Sequence, residues 1–329
     1  HQIYILEPRR VAARQIAQYL AKQLGEKVGQ TVGLKMRGEN KIGSETILTI
    51  VTDGVMVRQI QSDPELPNVG LVIFDEFHER ALQTDLSLAL VLDAQQLNED
   101  VKVLIMSATL DLQTLSAQLG APIVESTGRQ YPVDIHYVSS SLIPSDDEIL
   151  KAICLALSEQ SSSILVFLSG VGEIKRLQQK LEQKLENDSS TNIDVLPLYG
   201  GLTIEQQVSA IQPCPEGQRK IVLATNIAQT SLTIEGVDVV VDSGVERIVQ
   251  YNTKLASEQL ITQPISIAAA TQRAGRAGRL RAGVCYRLGS KEQFERRRKF
   301  DVAEIERVDL SLLLLEVQLW GAQFDELFW

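Results

Sequence analysis

One pattern constrains this chain more than any other. A short apolar run is followed by a turn rich in polar and charged residues and then by a helical segment, and the unit recurs along most of the length. IYIL (3–6) runs into EPRR and then VAARQIAQYLAKQL, where Ala12, Ile16, Leu20 and Leu24 recur at helical spacing. ILTIV (47–51) leads into TDG and a helix from about Val55. LVIF (71–74) leads into DEFHER and an apolar helix, and VKVLIM (101–106) into SAT and another helical segment. Strands alternating with helices in this way predict a parallel, doubly wound sheet, whose functional groups gather at the carboxyl ends of the strands.

The stretch ESTGRQYPVDIHYVSSSLIPSDDE (125–148) interrupts the rhythm with Gly, Pro and a serine run, and reads as a domain junction. The same grammar then restarts. SILVFL (163–168) precedes a long charged helix reaching about Asn187, IDVLPL (193–198) precedes LTIEQQVSAI, and KIVLAT (220–225) precedes NIAQTSL. VDVVVDSG (237–244) is followed by RIVQYN and LITQPIS, spaced as a two-stranded hairpin between Arg247 and Ser266. The expected organisation is α/β: a first domain over 1–130, a second of the same design over 131–290, and the beginning of a helical accessory element over 291–329.

Composition closes off several function classes. A net charge of −10 over 329 residues excludes nucleic-acid binding by bulk basicity, so any polyanion site must be a local basic surface. Cys154, Cys214 and Cys285 have neither zinc-ligand spacing nor a disulfide pattern, which predicts a reducing, cytoplasmic setting. No apolar run approaches the ~20 residues needed to span a bilayer, so no membrane partner is expected. LSLLLLEVQLW carries Glu316 and reads as a buried helix. The chain opens at His1 inside an apolar run without an initiator methionine, which reads as the interior of a longer protein.

The acid pair Asp75–Glu76 closes the strand LVIF. At such a strand end an aspartate can orient the waters of a Mg²⁺ ion while the next glutamate polarises an attacking water. Taken alone, the pair equally suits a solvated strand end followed by a helix cap, because acids favour the positive helix terminus. His78, one of three histidines, could be a capping or surface residue, and His136, inside PVDIHYV, reads as a packed strand residue. In QRAGRAGR (272–279) two glycines separate arginines and let guanidinium groups approach a phosphate chain; a flexible basic turn is the plainer reading. Arg9 and Arg10 sit where a helix begins, a position that disfavours cations and so hints at an anionic ligand. RRRK (296–299) reads as a solvated helix face or an interdomain contact.

Read together, these segments resemble the DEAH-box helicases of superfamily 2, most closely the bacterial HrpB-type branch. DEFH stands in the place of the DEAH box, with Phe77 in the alanine position. EPRRVAA (7–13) and TDGV (52–55) resemble first-domain nucleic-acid motifs, and SAT (107–109) the coupling motif. LVFLSGVGEI (165–174), LATNIAQTSLTIEGVDVVVDSG (223–244) and QRAGRAGR resemble the fourth, fifth and sixth motifs. Their order and spacing cover nearly the whole chain.

The resemblance implies two tandem RecA-like domains of the P-loop NTPase type, followed by the start of a helical or winged-helix element. It implies ATP and Mg²⁺ as cofactors, with Asp75 and Glu76 holding the metal mainly through water. It assigns catalytic roles to Asp75, Glu76, His78, Gln272, Arg276 and Arg279, the two arginines as fingers on the γ-phosphate and Gln272 positioning water and reaching His78. Nucleotide binding further involves Thr233 and Asp242, and coupling Ser107 and Thr109. Nucleic-acid contacts fall to Arg9, Arg10, Arg37, Thr52, Thr225 and Asn226, a set suited to backbone phosphates rather than bases. The 247–266 hairpin would lie near the point of strand separation; its composition alone also fits an ordinary edge hairpin.

Two departures stand out. A phosphate-binding loop needs G-x-x-x-x-G-K-[ST], and the chain contains no Gly-Lys pair and no lysine followed by Ser or Thr. In the family this loop precedes the strand that leads into EPRR, so it is expected upstream of His1, and the 329 residues by themselves are expected to hydrolyse ATP poorly or not at all. Gln229 occupies a position where the family usually has glutamate; an amide keeps a hydrogen bond but not a charge-assisted one.

The implied function is an ATP-dependent, 3′-to-5′ nucleic-acid helicase acting on a single strand, RNA more than DNA. The alternatives are a nucleic-acid or protein binding module without turnover, and a duplex translocase that does not unwind. The sequence leaves open RNA against DNA as natural substrate, the cellular pathway, protein partners and oligomeric state.

Overall fold

The structure, a computed structural model, describes residues 1–108, 112–126, 128, 131–186, 192–229 and 234–329. The chain divides into two compact units. The first comprises 1–110 with 249–259 and 302–329, and the second comprises 111–248 with 260–301.

The first unit is built on β1 (Gln2–Leu6), β2 (Val32–Met36), β3 (Glu39–Lys41), β4 (Leu48–Val51), β5 (Val69–Phe74) and β6 (Lys102–Ile105), ordered β3-β2-β4-β1-β5-β6. Only β2 with β3 is antiparallel; the other pairs are parallel. The sheet carries α1 (Arg10–Gln23), α2 (Asp53–Ser62) and α3 (Leu82–Ala94). Leu6 pairs with Val51 on one side and Phe74 on the other. The residues that follow these three strand ends, Glu7, Thr52 and Asp75, therefore leave the sheet side by side. The order of the strands reverses across β1, the place where open α/β sheets form their crevice.

Two details differ from the sequence expectation. The buried stripe of α1 is Ala13, Ala17 and Ala21, with Ala12, while Ile16 and Leu20 are partly covered and Leu24 is exposed. Small side chains let the helix lie close on Val32, Leu34, Met36 and Ile50, so the larger apolar residues are pushed to the margin of the contact. Strand β2 (VGLKM) gave no apolar run because Gly33 and Lys35 interrupt it. A Cβ at Gly33 would meet Thr46 at 2.8 Å, and Lys35 reaches out to Gln59 at 2.9 Å.

The second unit begins with α4 (Leu112–Leu119) and continues through β7 (Val133–Tyr137), α5 (Asp146–Glu159), β8 (Ser163–Phe167), α6 (Val171–Glu186), β9 (Ile193–Leu198), α7 (Ile204–Ile211), β10 (Arg219–Ala224) and β11 (Val237–Asp242). A two-stranded sheet of β12 (Val245–Asn252) and β13 (Ser257–Pro264) follows, its stretch 249–259 grouped with the first unit, then α8 (Ile267–Gly275), β14 (Gly283–Arg287) and α9 (Lys291–Glu295), while α10 (Ser311–Trp320) belongs to the first unit. The main sheet is parallel throughout, in the order β7-β14-β11-β8-β10-β9. Its core packs Ile164, Val166, Ile221, Leu223, Val239 and Val241 against α5 and α6.

Within the expected junction, VDIHY is an edge strand of this sheet, and SDDE opens α5 through a capping box of Ser145 and Glu148. His136 is half exposed, stacked on Tyr286 and 3.0 Å from Asp134, so it borders the core rather than filling it. Residues 302–329 pack with the first unit instead of standing apart. Glu316 accepts from Gln61 at 2.7 Å, and the Trp320 indole donates to Asp93 at 2.7 Å. Only Leu313 and Val317 of α10 are buried, while Leu312, Leu315 and Leu319 are exposed, so this helix is covered on one face alone.

Candidate functional site

In the first unit the backbone itself creates the acidic turn. Strand β5 continues as a ladder past Phe74: Asp75 N–H donates to Leu6 O at 3.0 Å and Phe77 N–H to Met106 O at 3.1 Å. Between them Glu76 takes a left-handed conformation (φ 51°), and Arg80 does the same (φ 46°) on the far side of the short turn Phe77–Glu79. Two non-glycine residues in this region flanking three residues mark a turn held by its surroundings, the kind of strain found at functional sites. Phe77, in the place of a smaller residue, is buried edge-on against Phe74, with the Arg80 guanidinium 5.5 Å from its ring centre.

The side chains of the turn face one another. Asp75 accepts from Glu76 N–H at 2.8 Å, and its pKa is raised to about 6, by burial first and by the Glu76 carboxylate second. His78 Nδ1 accepts from Ala108 N–H at 3.4 Å, and its Nε2 lies 3.5 Å from a Glu76 carboxylate oxygen. His78 Nε2 and the hydroxyl of Ser107 are both buried without a hydrogen-bond partner. Crowded carboxylates and orphaned buried polar atoms fit a hydrated divalent cation and a phosphate chain, which would supply the missing charge and partners. Thr109 lies outside the described residues.

Sequence reasoning missed Glu7. It is fully buried at the end of β1, accepts from Arg9 N–H at 3.0 Å, and burial pushes its pKa up to about 8, with Asp75, Glu79 and Glu76 adding to the shift. Its position directly after an apolar strand was the available signal. Arg9 is held by Glu79 at 2.9 Å, so a carboxylate of the protein already offsets its unfavourable place at the start of α1. Arg10 and Arg37 are brought together on the surface, with Arg10 donating to the Arg37 carbonyl at 3.2 Å. Thr52 precedes α2 without capping it, and Asp53 behind it is buried, bonded to Thr84 at 2.6 Å and raised to about 6 by burial.

In the second unit the fifth and sixth motifs meet at Gln229. Its side-chain oxygen accepts from Arg273 Nε at 3.1 Å, its amide donates to Gln272 Oε1 at 3.2 Å, and its main-chain carbonyl accepts from Arg276 Nε at 2.7 Å. The amide thus uses both of its hydrogen-bonding ends, which a carboxylate at 229 could not do with Gln272 in this orientation. Asp242 is not presented to a ligand: it is fully buried and pairs with the equally buried Arg273 at 2.9 Å. Arg276 is nearly buried and Arg279 exposed. Thr225 follows the end of β10 and Asn226 is exposed beside it, while Thr233 lies outside the described residues.

The two glycines of QRAGRAGR differ in purpose. A Cβ at Gly275 would meet nothing within 4 Å, which leaves room for close approach. One at Gly278 would strike Tyr131 O at 2.5 Å and Val133 at 2.7 Å, so Gly278 serves packing on the segment leading into β7. RRRK is likewise not a solvated helix face. Arg297 donates to the carbonyl of Gly244 at 3.0 Å, and Arg298 and Lys299 offer carbonyls to the first N–H groups of α8. The segment clasps the root of the hairpin and the start of the helix that carries Gln272.

Two parallel α/β units of this design, each with its polar groups at the carboxyl ends of its strands, are RecA-like domains of the P-loop NTPase type. Residues 1–117 match the family described as DEAD/DEAH box helicase, and residues 146–281 match the helicase conserved C-terminal domain. The chain is 51% identical over 326 residues to the ATP-dependent RNA helicase HrpB of Escherichia coli K12, covering 97% of this chain and 39% of that protein. It is 38% identical to the ATP-dependent RNA helicase HrpA of Borreliella burgdorferi, over 96% of this chain and 39% of the relative, and 35% identical to mouse ATP-dependent RNA helicase DHX33, over 96% and 47%. The crystal structure of the Escherichia coli DEAH/RHA helicase HrpB superimposes with a TM-score of 0.90 at 50% identity, covering 98% of this chain and 41% of that one. The chain belongs to the DEAD/DEAH box helicase family. It spans about two fifths of the length of the first two curated relatives and under half of the third.

No helix among the described residues is long and apolar enough to cross a membrane, and no group of His, Cys, Asp and Glu there forms a protein-only metal cluster.

Proposed function

We propose that this chain is the motor core of an ATP-dependent RNA helicase that moves 3′ to 5′ along one strand, acting in the cytoplasm. The reading rests above all on the acidic turn: Asp75, Glu76 and His78 face one another at a strand end, with a strained backbone and orphaned buried atoms around them. ATP with Mg²⁺ supplies a charged phosphate chain and a hydrated cation. Asp75 would orient the waters of a bound Mg²⁺, and Glu76 would take the proton of the attacking water. His78, whose Nε2 stands 3.5 Å from a Glu76 carboxylate oxygen, would steer that carboxylate as the nucleotide binds. Gln272, set by the Gln229 amide, would position water, while Arg276 and Arg279 would neutralise charge on the γ-phosphate. Thr233 and Asp242 complete the nucleotide side, Asp242 by fixing Arg273 rather than by touching the ligand. Ser107 and Thr109 link nucleotide state to grip on RNA.

Arg9, Arg10, Arg37, Thr52, Thr225 and Asn226 hold the backbone of a single strand. Neutral and cationic donors of this kind take phosphates without reading bases. RNA is favoured over DNA because the similar relatives carry RNA helicase names.

The test is strand displacement by the full-length protein on an RNA duplex with a 3′ overhang, with Glu76→Gln as the inactive control. ATP-dependent release of the strand supports the helicase. RNA-stimulated hydrolysis without release supports a translocase, and binding without hydrolysis supports a passive clamp.

A further inference from the structure

Within the first unit, the segment 304–307, which lies between α9 and α10, touches both the start of α3 and β12. Glu304 N–H donates to Arg80 O at 2.9 Å, and the Glu304 carboxylate accepts from Leu82 N–H at 2.8 Å. Ala81, the N-cap of α3, offers no side-chain cap, so Glu304 acts as the missing cap from 222 residues away. It thereby fixes both ends of the step from left-handed Arg80 into α3, immediately after Phe77–Glu79. Three residues on, Arg307 Nη1 donates to Val249 O at 2.6 Å, and Tyr251 N–H donates back to Arg307 O at 2.6 Å. Those two residues belong to β12 of the hairpin. A 3.7 Å ion pair joins Arg307 to Glu304, and Glu304 also receives the main-chain N–H of Arg307 at 3.0 Å.

We propose that Glu304 and Arg307 form a latch that transmits the position of the hairpin to the acidic turn, with Glu304 as a positioning residue for Glu76 and His78. This rests on the helicase reading and deepens it. A hairpin displaced by bound RNA pulls on Arg307 through two main-chain bonds. The 304–307 turn moves as one piece because its own hydrogen bonds close it, and the bonds to Arg80 and Leu82 carry the movement to the turn that bears Glu76. The acids are thereby set for hydrolysis only when the hairpin is engaged.

The experiment measures ATP turnover by the full-length protein with and without single-stranded RNA, for the wild type, Glu304→Ala, Glu304→Gln, Arg307→Ala and the double alanine variant, each with its melting temperature. The expected result is RNA-free turnover within about twofold of wild type and RNA-stimulated turnover lowered at least about fivefold in both single alanine variants, the scale of an ordinary coupling between sites. The double variant should be no slower than the worse single, because both lie on one path. Glu304→Gln keeps an acceptor for Leu82 N–H and should retain most of the stimulation. Losses that multiply in the double variant overturn the latch, as do basal and stimulated rates that fall together with melting temperature. A wild-type protein with neither stimulated turnover nor strand displacement overturns the helicase reading itself, an outcome visible before any variant is compared, and the latch falls with it.

Discussion

The buried pair of Arg273 and Asp242 allows a quantitative prediction. Both side chains are fully buried and meet at 2.9 Å, and each retains one buried atom without a partner, Arg273 Nη2 and Asp242 Oδ2. Removing one member of such a pair strands a charge in a low-dielectric interior, at a cost of about 3–5 kcal/mol. Arg273 keeps three neighbours in Asp242→Asn: the Val245 carbonyl at 3.2 Å, the Gln229 oxygen at 3.1 Å and the face of Phe167, 5.0 Å from the guanidinium carbon. The cost should therefore lie near the lower bound, about 3 kcal/mol. Replacing both by apolar residues, Asp242→Leu with Arg273→Met, removes the stranded charge and should come within about 2 kcal/mol of wild type. Urea unfolding separates the cases. Trp320 and Trp329 both lie in the first unit, so far-UV circular dichroism should register the loss while tryptophan fluorescence reports the first unit. An Asp242→Asn cost below about 1 kcal/mol, or a double variant as unstable as the two singles summed, would refute the assignment of this pair as a coupled buried charge.

Further outcomes follow from the same structure. Glu148 accepts hydrogen bonds from Ser139, Ser141 and Ser145, which lower its pKa to about 2. Its contribution is therefore complete above the ordinary value of 4.5 and fades as pH falls toward 2, so acid unfolding of the second unit should be blunted in Glu148→Gln. Glu7 behaves in the opposite sense: with its pKa raised to about 8, its contribution is complete below 4.5 and is lost as pH rises through 8. Glu7→Gln should gain stability over wild type between pH 5 and pH 8, and a pH-independent difference in urea midpoint would contradict this. Gly278→Ala should destabilise by about 1–3 kcal/mol through its clash with Tyr131 and Val133, read as a lower melting temperature. Gly275→Ala meets open space and should melt as wild type does, yet slow ATP turnover in the full-length protein if that space receives phosphate.

Much of the architecture was legible because the buried strands are uninterrupted apolar runs. LVIF, SILVF, IVLA and VDVVV all became interior strands of their sheets. What escaped was written in residues whose role depends on partners distant in sequence. The alanine face of α1 is visible only once the sheet beneath it sets the spacing, and VGLKM becomes a strand because its neighbours pair with it. Glu7 is buried by the strands on either side of β1, which nothing in its local sequence announces. RRRK looked solvated because nothing local reveals that its carbonyls meet α8. Glu304 carries no motif at all, and its partners lie more than two hundred residues upstream. The Asp75–Glu76–His78 turn was legible in identity, whereas its left-handed backbone and the neighbouring orphaned atoms were not.

The proposed function gives both Glu76 and Arg279 a part in the hydrolysis of ATP. The most direct measurement is RNA-stimulated ATP turnover in the full-length protein for Glu76→Gln, Arg279→Ala and their combination. The account predicts losses of about 10³-fold or more in each single variant and no further loss in the combination, because groups acting on one transition state are not additive. Turnover at the wild-type rate in Arg279→Ala, or losses that simply multiply, would contradict it.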